Sequence, residues 1–332
     1  MKKKLVSLFA LMFMTTLGAH ADIDINEINF PDRKFRKFLL AQTYGADGKL
    51  TPEEIDGVTS MKVQFMEIQS LKGIEHFTAL TSLKCSFNLL KTLDLTQNTA
   101  LEELLCDNNL LTALDLTQNT ALTRLFCYEN NILSIDLSQN TKLETLSCSE
   151  NQLRTLDLSK NTVLSWVNCS NNLLTALDLS QNAVLEELNI SLNQIKGETM
   201  DALVASLPAV SKGKLYAIYN KQDQNEITTT QVTAANANGW TIYTYDGNDW
   251  KVYADPTAVQ NVKAAANDTA ASKKKYFKDG KIVIEANGKE FDAAGAQVKS
   301  RQGVVKEPSR DYPKFAQRVP WSSPASLQIS SR

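Results

Sequence analysis

Apolar residues from Leu80 onward fall at a spacing that neither a plain helix nor a plain strand produces. Leu80, Leu83 and Cys85 are followed by Leu90, Leu93 and Leu95, and the pattern restarts at Leu101, Leu104 and Cys106. The cysteines mark the period. Cys85, Cys106, Cys127, Cys148 and Cys169 stand 21 residues apart, and one further step lands on Ile190. Self-similarity at a fixed period of this size is the signature of a stacked repeat. The phrase L-x-x-L-x-C-x-x-N-x-L-x-x-L-D-L-[ST]-x-N-x-x fills units 80–100, 101–121, 122–142, 143–163 and 164–184, with a partial sixth from Leu185. A looser 22-residue unit precedes them, carrying Val58, Met61, Val63, Ile68, Leu71, Ile74 and Phe77.

Each unit is itself double. Leu80-x-x-Leu83-x-Cys85-x-x-Asn88 is answered ten residues later by Leu90-x-x-Leu93-x-Leu95-x-x-Asn98. Alternation within each core is strand-like, with one residue inward and the next outward. Two phrases per coil predict two parallel ladders whose leucines meet in one continuous core. A single coil cannot bury its own apolar face, so stacking must supply the stability. On these residues the sequence resembles the leucine-rich-repeat family, in its nested 21-residue bacterial form of the internalin-like broad class. The resemblance implies a leucine-rich-repeat solenoid over 58–195, β-rich, with parallel ladders and α/β caps. It also implies that Asn88, Asn109, Asn130, Asn151, Asn172 and Asn193 bond the backbone of the turns, as structural residues rather than ligand groups.

The N-terminal residues 1–21 read as a secretory signal peptide. Lys2 to Lys4 form the positive end, Leu5 to Leu17 the apolar stretch, and Ala19-His20-Ala21 a small-residue cleavage site. That apolar stretch is too short to span a bilayer, and no transmembrane segment follows. Removing the signal leaves 32 basic against 37 acidic residues, so no cationic excess remains to neutralise phosphates and nucleic acid is not an expected partner. His76 is then the only histidine. One histidine cannot build a multi-histidine zinc site, and a nucleophile would need His76 itself as its base. No enzyme activity, metal or cofactor is expected.

Exported cysteines invite a disulfide framework. Neighbouring rungs, about 4.8 Å apart, do not exclude one on distance. Parallel inward side chains lack the crossed geometry a relaxed disulfide needs, and Val63 and Ile190 fill the same slot elsewhere. Cys85, Cys106, Cys127, Cys148 and Cys169 are therefore expected to be reduced, buried hydrophobes.

The outward positions of the two ladders differ. On the second, Asp94, Asp115, Asp136, Asp157 and Asp178 recur with Thr or Ser two residues later, which suits bonds to nearby backbone better than a cation array. On the first, Glu103, Arg124, Trp166 and Glu187 form one variable column, Leu105, Phe126, Asn168 and Asn189 a second, and Asp107 and Tyr128 a third. Aromatic residues rimmed by charge are what recognition surfaces present. Glu103, Arg124, Phe126, Tyr128, Trp166 and Glu187 are the candidate ligand contacts; the alternative is that a terminal segment packs over them.

Segment 22–57 predicts a helical N-terminal cap, with a capping box and helix-starting proline at Thr51-Pro52-Glu53-Glu54. Segment 196–254 predicts a C-terminal cap: a helix ending at Pro208, a strand at 214–219, a helix at 228–238 and a strand at 240–245. Asp223 and Glu226 read there as solvated loop residues. Segment 255–274 is a linker, in which Asp268-Thr269-Ala270 resembles an O-glycosylation signal of anaerobic Gram-negative bacteria. Asp279-Gly280 and Asn287-Gly288 punctuate apolar alternation over 275–299, predicting hairpins in a small β module similar to type IX secretion sorting modules. Residues 300–332 hold four of the eight prolines and a local charge of +4, a disordered composition. The resemblance implies an extracellular or cell-surface binding protein, an adhesin or host-interaction scaffold whose partner is a protein. A glycan-binding module and a structural repeat protein are the competing readings.

Overall fold

The computed structural model describes residues 21–219, 223–245 and 247–253, together with the strands within 274–292. The expected signal, most of the linker, Thr269 and the 300–332 tail lie outside the described residues.

The chain begins with β1 (Ile23–Asp24), α1 (Arg33–Leu40), β2 (Lys49–Leu50) and α2 (Pro52–Gly57). The first and second strands pair antiparallel, and Thr51 with Glu54 forms the capping box of α2. Phe30, Phe35 and Leu39 are fully buried and close the open end of the repeat core. Asp32 joins cap to repeat. One of its oxygens caps α1 through the amides of Lys34 and Phe35, at 2.8 and 3.0 Å, while the other accepts from Gln69 and Ser70, at 2.8 and 3.3 Å.

Seven short strands follow, one per coil: β3 (Ser60–Lys62), β4 (Ser82–Lys84), β5 (Glu103–Leu105), β6 (Arg124–Phe126), β7 (Thr145–Ser147), β8 (Trp166–Asn168) and β9 (Glu187–Asn189). They pair in parallel with no register slip, so Ser82, Glu103, Arg124, Thr145, Trp166 and Glu187 form one row across the sheet. After α3 (Glu198–Ser206) the same sheet continues into β10 (Gly213–Ile218), then through α4 (Thr229–Ala237) into β11 (Trp240–Tyr245). Gly239 enters β11 at φ +84°, where a Cβ would collide with the Val210 carbonyl. An antiparallel strand, β12 (Trp250–Val252), ends the ten-stranded sheet. Three further strands, β13 (Lys274–Lys278), β14 (Lys281–Ala286) and β15 (Lys289–Asp292), form an antiparallel meander. It is joined through residues 279–280 and 287–288, where the sequence has Asp-Gly and Asn-Gly.

The fold is a leucine-rich-repeat solenoid. Leucines of both phrases line its core: Leu83, Leu104, Leu125 and Leu146 from the first, Leu95, Leu116, Leu137 and Leu158 from the second, all at most 1 % exposed. Only the first phrase is hydrogen-bonded as a sheet. In the second, each aspartate bends the chain out of strand geometry by accepting the amide two residues on, at 2.9–3.0 Å from Asp94 through Asp178. Carbonyls there are taken by side chains instead: Asn119 Nδ2 donates to Leu95 O and Asn98 O of the preceding coil, at 3.0 and 2.9 Å. Asn140, Asn161 and Asn182 repeat this one coil at a time.

At the other corner a different asparagine ladder works. Asn109 Nδ2 bridges Cys85 O and Cys106 O, at 3.1 and 3.0 Å, and its Oδ1 accepts from Leu90 N at 3.1 Å. Asn130, Asn151, Asn172 and Asn193 repeat the arrangement. The residue before each ladder asparagine is left-handed: Phe87, Asn108, Glu129, Glu150, Asn171 and Leu192 have φ between 51° and 57°. Such a conformation costs a non-glycine residue about 1–2 kcal/mol, and the asparagine bonds on either side hold it.

The cap continues this ladder, which overturns the reading of Asp223 as a solvated loop residue. Asn225 takes the ladder role, donating to Ile190 O and Ala217 O at 2.8 and 3.0 Å and accepting from Ile195 N at 2.8 Å. Asp223 stands beside it, with one oxygen on the amides of Leu192 and Tyr219, at 2.8 and 2.7 Å, and the other on Asn225 N at 2.9 Å. A carboxylate does here what a longer loop leaves undone.

Three outcomes follow from this architecture. Leu125→Ala should cost roughly 2–5 kcal/mol in denaturant unfolding, since it empties a filled core slot, while Asp136→Ala should leave the melting temperature almost unchanged. Thiol titration should find none of the five cysteines reactive in the native state and all five after denaturation, because each is buried and unpaired. Asp223 adds a pH term. Burial pushes its carboxyl up to about 6 from the usual 3.8, against the pull of the amides around it. A raised acid pKa gives stability that is full below the unfolded value and lost as pH rises through the folded one. Wild-type stability relative to Asp223→Asn should therefore fall between about pH 4 and about pH 7; equal pH profiles for the two proteins would refute the account.

Candidate functional site

Because the sheet pairs without a slip, every second residue of each strand faces outward in a straight row. Glu103, Arg124, Trp166 and Glu187 share one row and Phe126 lies in the next, with Leu105 and Ser147 as its neighbours. The structure brings these candidates together in pairs rather than as one cluster.

Glu103 and Arg124 form an ion pair at 2.6 Å across adjacent strands. Lys84 adds a second at 2.9 Å, and Ser82 Oγ donates to the same carboxylate at 2.9 Å. Burial works against the charge of Glu103, but the bonds from Lys84, Ser82 and Arg124 together hold its carboxyl below the usual range. Phe126 and Trp166 meet edge-to-face with ring centroids 6.1 Å apart, although one strand, β7, lies between theirs in the order of the sheet. They meet across the small side chains of β7; Thr145 and Ser147 are 5 % and 3 % exposed. Glu187 belongs elsewhere: it pairs with Lys214 of the cap at 2.9 Å.

The third column differs from its expected outward exposure. Asp107 is buried, 3 % exposed, and accepts from Ser86 Oγ at 2.7 Å, from Asn108 Nδ2 at 3.3 Å, and from the Tyr128 hydroxyl. Burial pushes its carboxyl up despite these three donors. Leu105 and Asn189 are likewise closed over, at 6 % and 2 % exposed. Neighbouring coils stand close enough for the residues on either side to shade a side chain between them, which alternation along one strand does not reveal.

The cysteines are core residues. Burial is the main cause that raises every thiol, pushing Cys127 and Cys169 up to about 12. A thiol held protonated in an apolar column is no nucleophile. Each carboxylate of the second ladder from Asp94 to Asp157 is held below the usual range, chiefly by the backbone amide it caps.

Sequence reasoning stopped the outward face where the period stops, and so missed its continuation into the cap. Tyr216 of β10 stands in the row of Phe126 and Asn189, and Tyr243 of β11 follows it. Tyr216 stacks on Tyr243 at 5.0 Å and Tyr219 on Tyr245 at 4.6 Å. Trp250 packs its edge against Tyr216 and Tyr245, at 5.0 and 5.6 Å. The inward sides of the same strands are filled by Leu215, Ala217, Trp240 and Ile242, so these aromatics form a layer beyond the core. Alternation over 240–245 carried this signal, with tyrosine at two successive outward places, 243 and 245.

No protein-family model matches the chain. Among curated proteins it is similar to Internalin J of Listeria monocytogenes, 38 % identical over 86 residues; the match covers 26 % of this chain and 9 % of the length of that protein. Among solved structures it is similar to an internalin (inlF) of Listeria monocytogenes, with a TM-score of 0.55 and 22 % identity over 68 % of this chain and 72 % of that one. An internalin C2 (inlC2) of the same species gives a TM-score of 0.55 and 18 % identity, covering 67 % of this chain and 97 % of that one. These likenesses bear on the fold. Among the described residues no helix is long and apolar enough to cross a membrane.

Proposed function

We propose that this chain is a non-catalytic binding protein, exported through its N-terminal signal, that engages a protein partner outside the cell with the variable face of its repeats. The observation that carries the reading is the Phe126–Trp166 pair on the sheet's outward side, next to the Glu103–Arg124 ion pair. Neither ring fills the core, whose slots on those coils are held by Leu125, Cys127, Val167 and Cys169. Large aromatics kept outside the core, beside an arginine, are the side chains that most often dominate the energy of a protein interface. The similarity to internalins supports a role at a cell surface, in adhesion or host interaction. The antiparallel meander of β13 to β15 is consistent with a sorting module, which we assign to it by resemblance.

The test pairs binding with stability. The full-length chain is screened against immobilised extracellular-matrix proteins and against a glycan array. Binding to a matrix protein should weaken at least about tenfold in Trp166→Ala and in Arg124→Ala, the loss expected of interface anchors. The melting temperature should change far less than in Leu125→Ala. A glycan hit with no protein hit would overturn the choice of partner class. A melting loss as large as that of Leu125→Ala would identify Trp166 as a packing residue and move the site elsewhere.

A further inference from the structure

The repeats provide their own control for what the scaffold requires. The position after each core cysteine, and after Ile190 in the coil that follows them, is Ser86, Asp107, Tyr128, Ser149, Ser170 and Ser191. Four of these six are serine, so the coil closes without a charge or a ring at this place. The two departures, Asp107 and Tyr128, fall on adjacent rungs and are hydrogen-bonded to each other. Asp107 is also costly. The residue is 3 % exposed, and burying a charge works against folding unless its bonds compensate. Its donors are Ser86 and Asn108 besides Tyr128, and its charged form is still disfavoured. Cys85, Cys106 and Cys127 are the titratable groups that couple to it, and all three are held protonated by burial. A carboxylate that the scaffold does without on four coils, and that bonds the only ring in its column, is there for that ring.

We propose that Asp107 is a positioning residue of the recognition face. Its buried carboxylate accepts a hydrogen bond from the Tyr128 hydroxyl, which holds the phenol on its rung and leaves its oxygen to the partner as an acceptor only. The consequence is a chemical selection. A phenol oxygen whose proton is already committed can bond a donor, such as a backbone amide, a lysine or an arginine, but not a second acceptor. A protein partner presenting an N–H group or a basic side chain over the sixth strand therefore fits, and a carboxylate at that point does not. This selection rests on the reading of Tyr128 as a contact; the positioning itself does not.

The experiment uses the free full-length chain, labelled with 13C at tyrosine Cζ. The Tyr128 resonance is the one lost in Tyr128→Phe. A carboxylate acceptor stabilises the protonated phenol, so Tyr128 should ionise more readily by about tenfold once the charge is removed, in Asp107→Ser and in Asp107→Asn alike. Asp107→Ser installs the residue that the other coils carry, and should melt at or above the wild-type temperature. An unchanged Tyr128 titration in both variants would overturn the proposal. So would a melting loss in Asp107→Ser as large as that of Leu125→Ala, because the carboxylate would then serve the coil rather than the phenol. A screen that finds no protein partner would refute the reading of the face while leaving this result intact.

Discussion

The structure depends on one constraint: each coil must turn its backbone twice within 21 residues while both corners stay buried. Buried amides and carbonyls without partners each cost on the order of 1–3 kcal/mol. Regular secondary structure cannot pair them, because a chain that turns leaves its own ladder. Asparagine resolves this at both corners. Its amide donates to two carbonyls at once: at one corner one of its own coil and one of the preceding coil, as Asn109 does to Cys106 and Cys85, and at the other two of the preceding coil, as Asn119 does to Asn98 and Leu95. The period follows from that geometry, since an asparagine one residue out of place would miss both.

The same constraint explains what sits beside the ladders. The tight corner needs a left-handed residue, and the bonds of the adjacent asparagine are firm enough to hold phenylalanine, glutamate or leucine there instead of glycine. The core slot next to it takes cysteine, a small apolar side chain, on five consecutive coils, with Val63 before them and Ile190 after. At the C-terminal end the corner loop lengthens. Asn225 still supplies the ladder bonds, and Asp223 satisfies the extra amides at the cost of a buried carboxylate whose pKa is raised.

Once the corners and core are satisfied, the outward row of the sheet is free to vary. It varies in a patterned way. The Glu103–Arg124–Lys84 group is a charge network held by its own ion pairs, and Phe126 with Trp166 forms a ring pair above small residues of the seventh strand. The cap adds a second aromatic layer on the same side of the sheet, built from Tyr216, Tyr219, Tyr243, Tyr245 and Trp250. The solenoid is thus a uniform frame that sets side chains of adjacent coils at a fixed pitch, and what its outward face presents is a matter of which residues occupy it.

The sequence by itself determined the repeat, its core and the direction of its side chains. A period of 21 read on Cys85 and Leu125 places every inward residue, because stacking allows only one register between identical coils. It also located Phe126 and Trp166 outside the core, since alternation assigns them away from Leu125 and Val167. What it left open was every relation that crosses from one coil to the next or leaves the period. That Phe126 reaches Trp166 over an intervening strand depends on side-chain length across the sheet. That Asp107 is buried depends on Tyr128 and Ser86 on either side of it. Asp223 and Asn225 lie in a stretch without repeat, where spacing no longer reports position. Periodicity fixes where a side chain starts; only the packed neighbours decide where it ends.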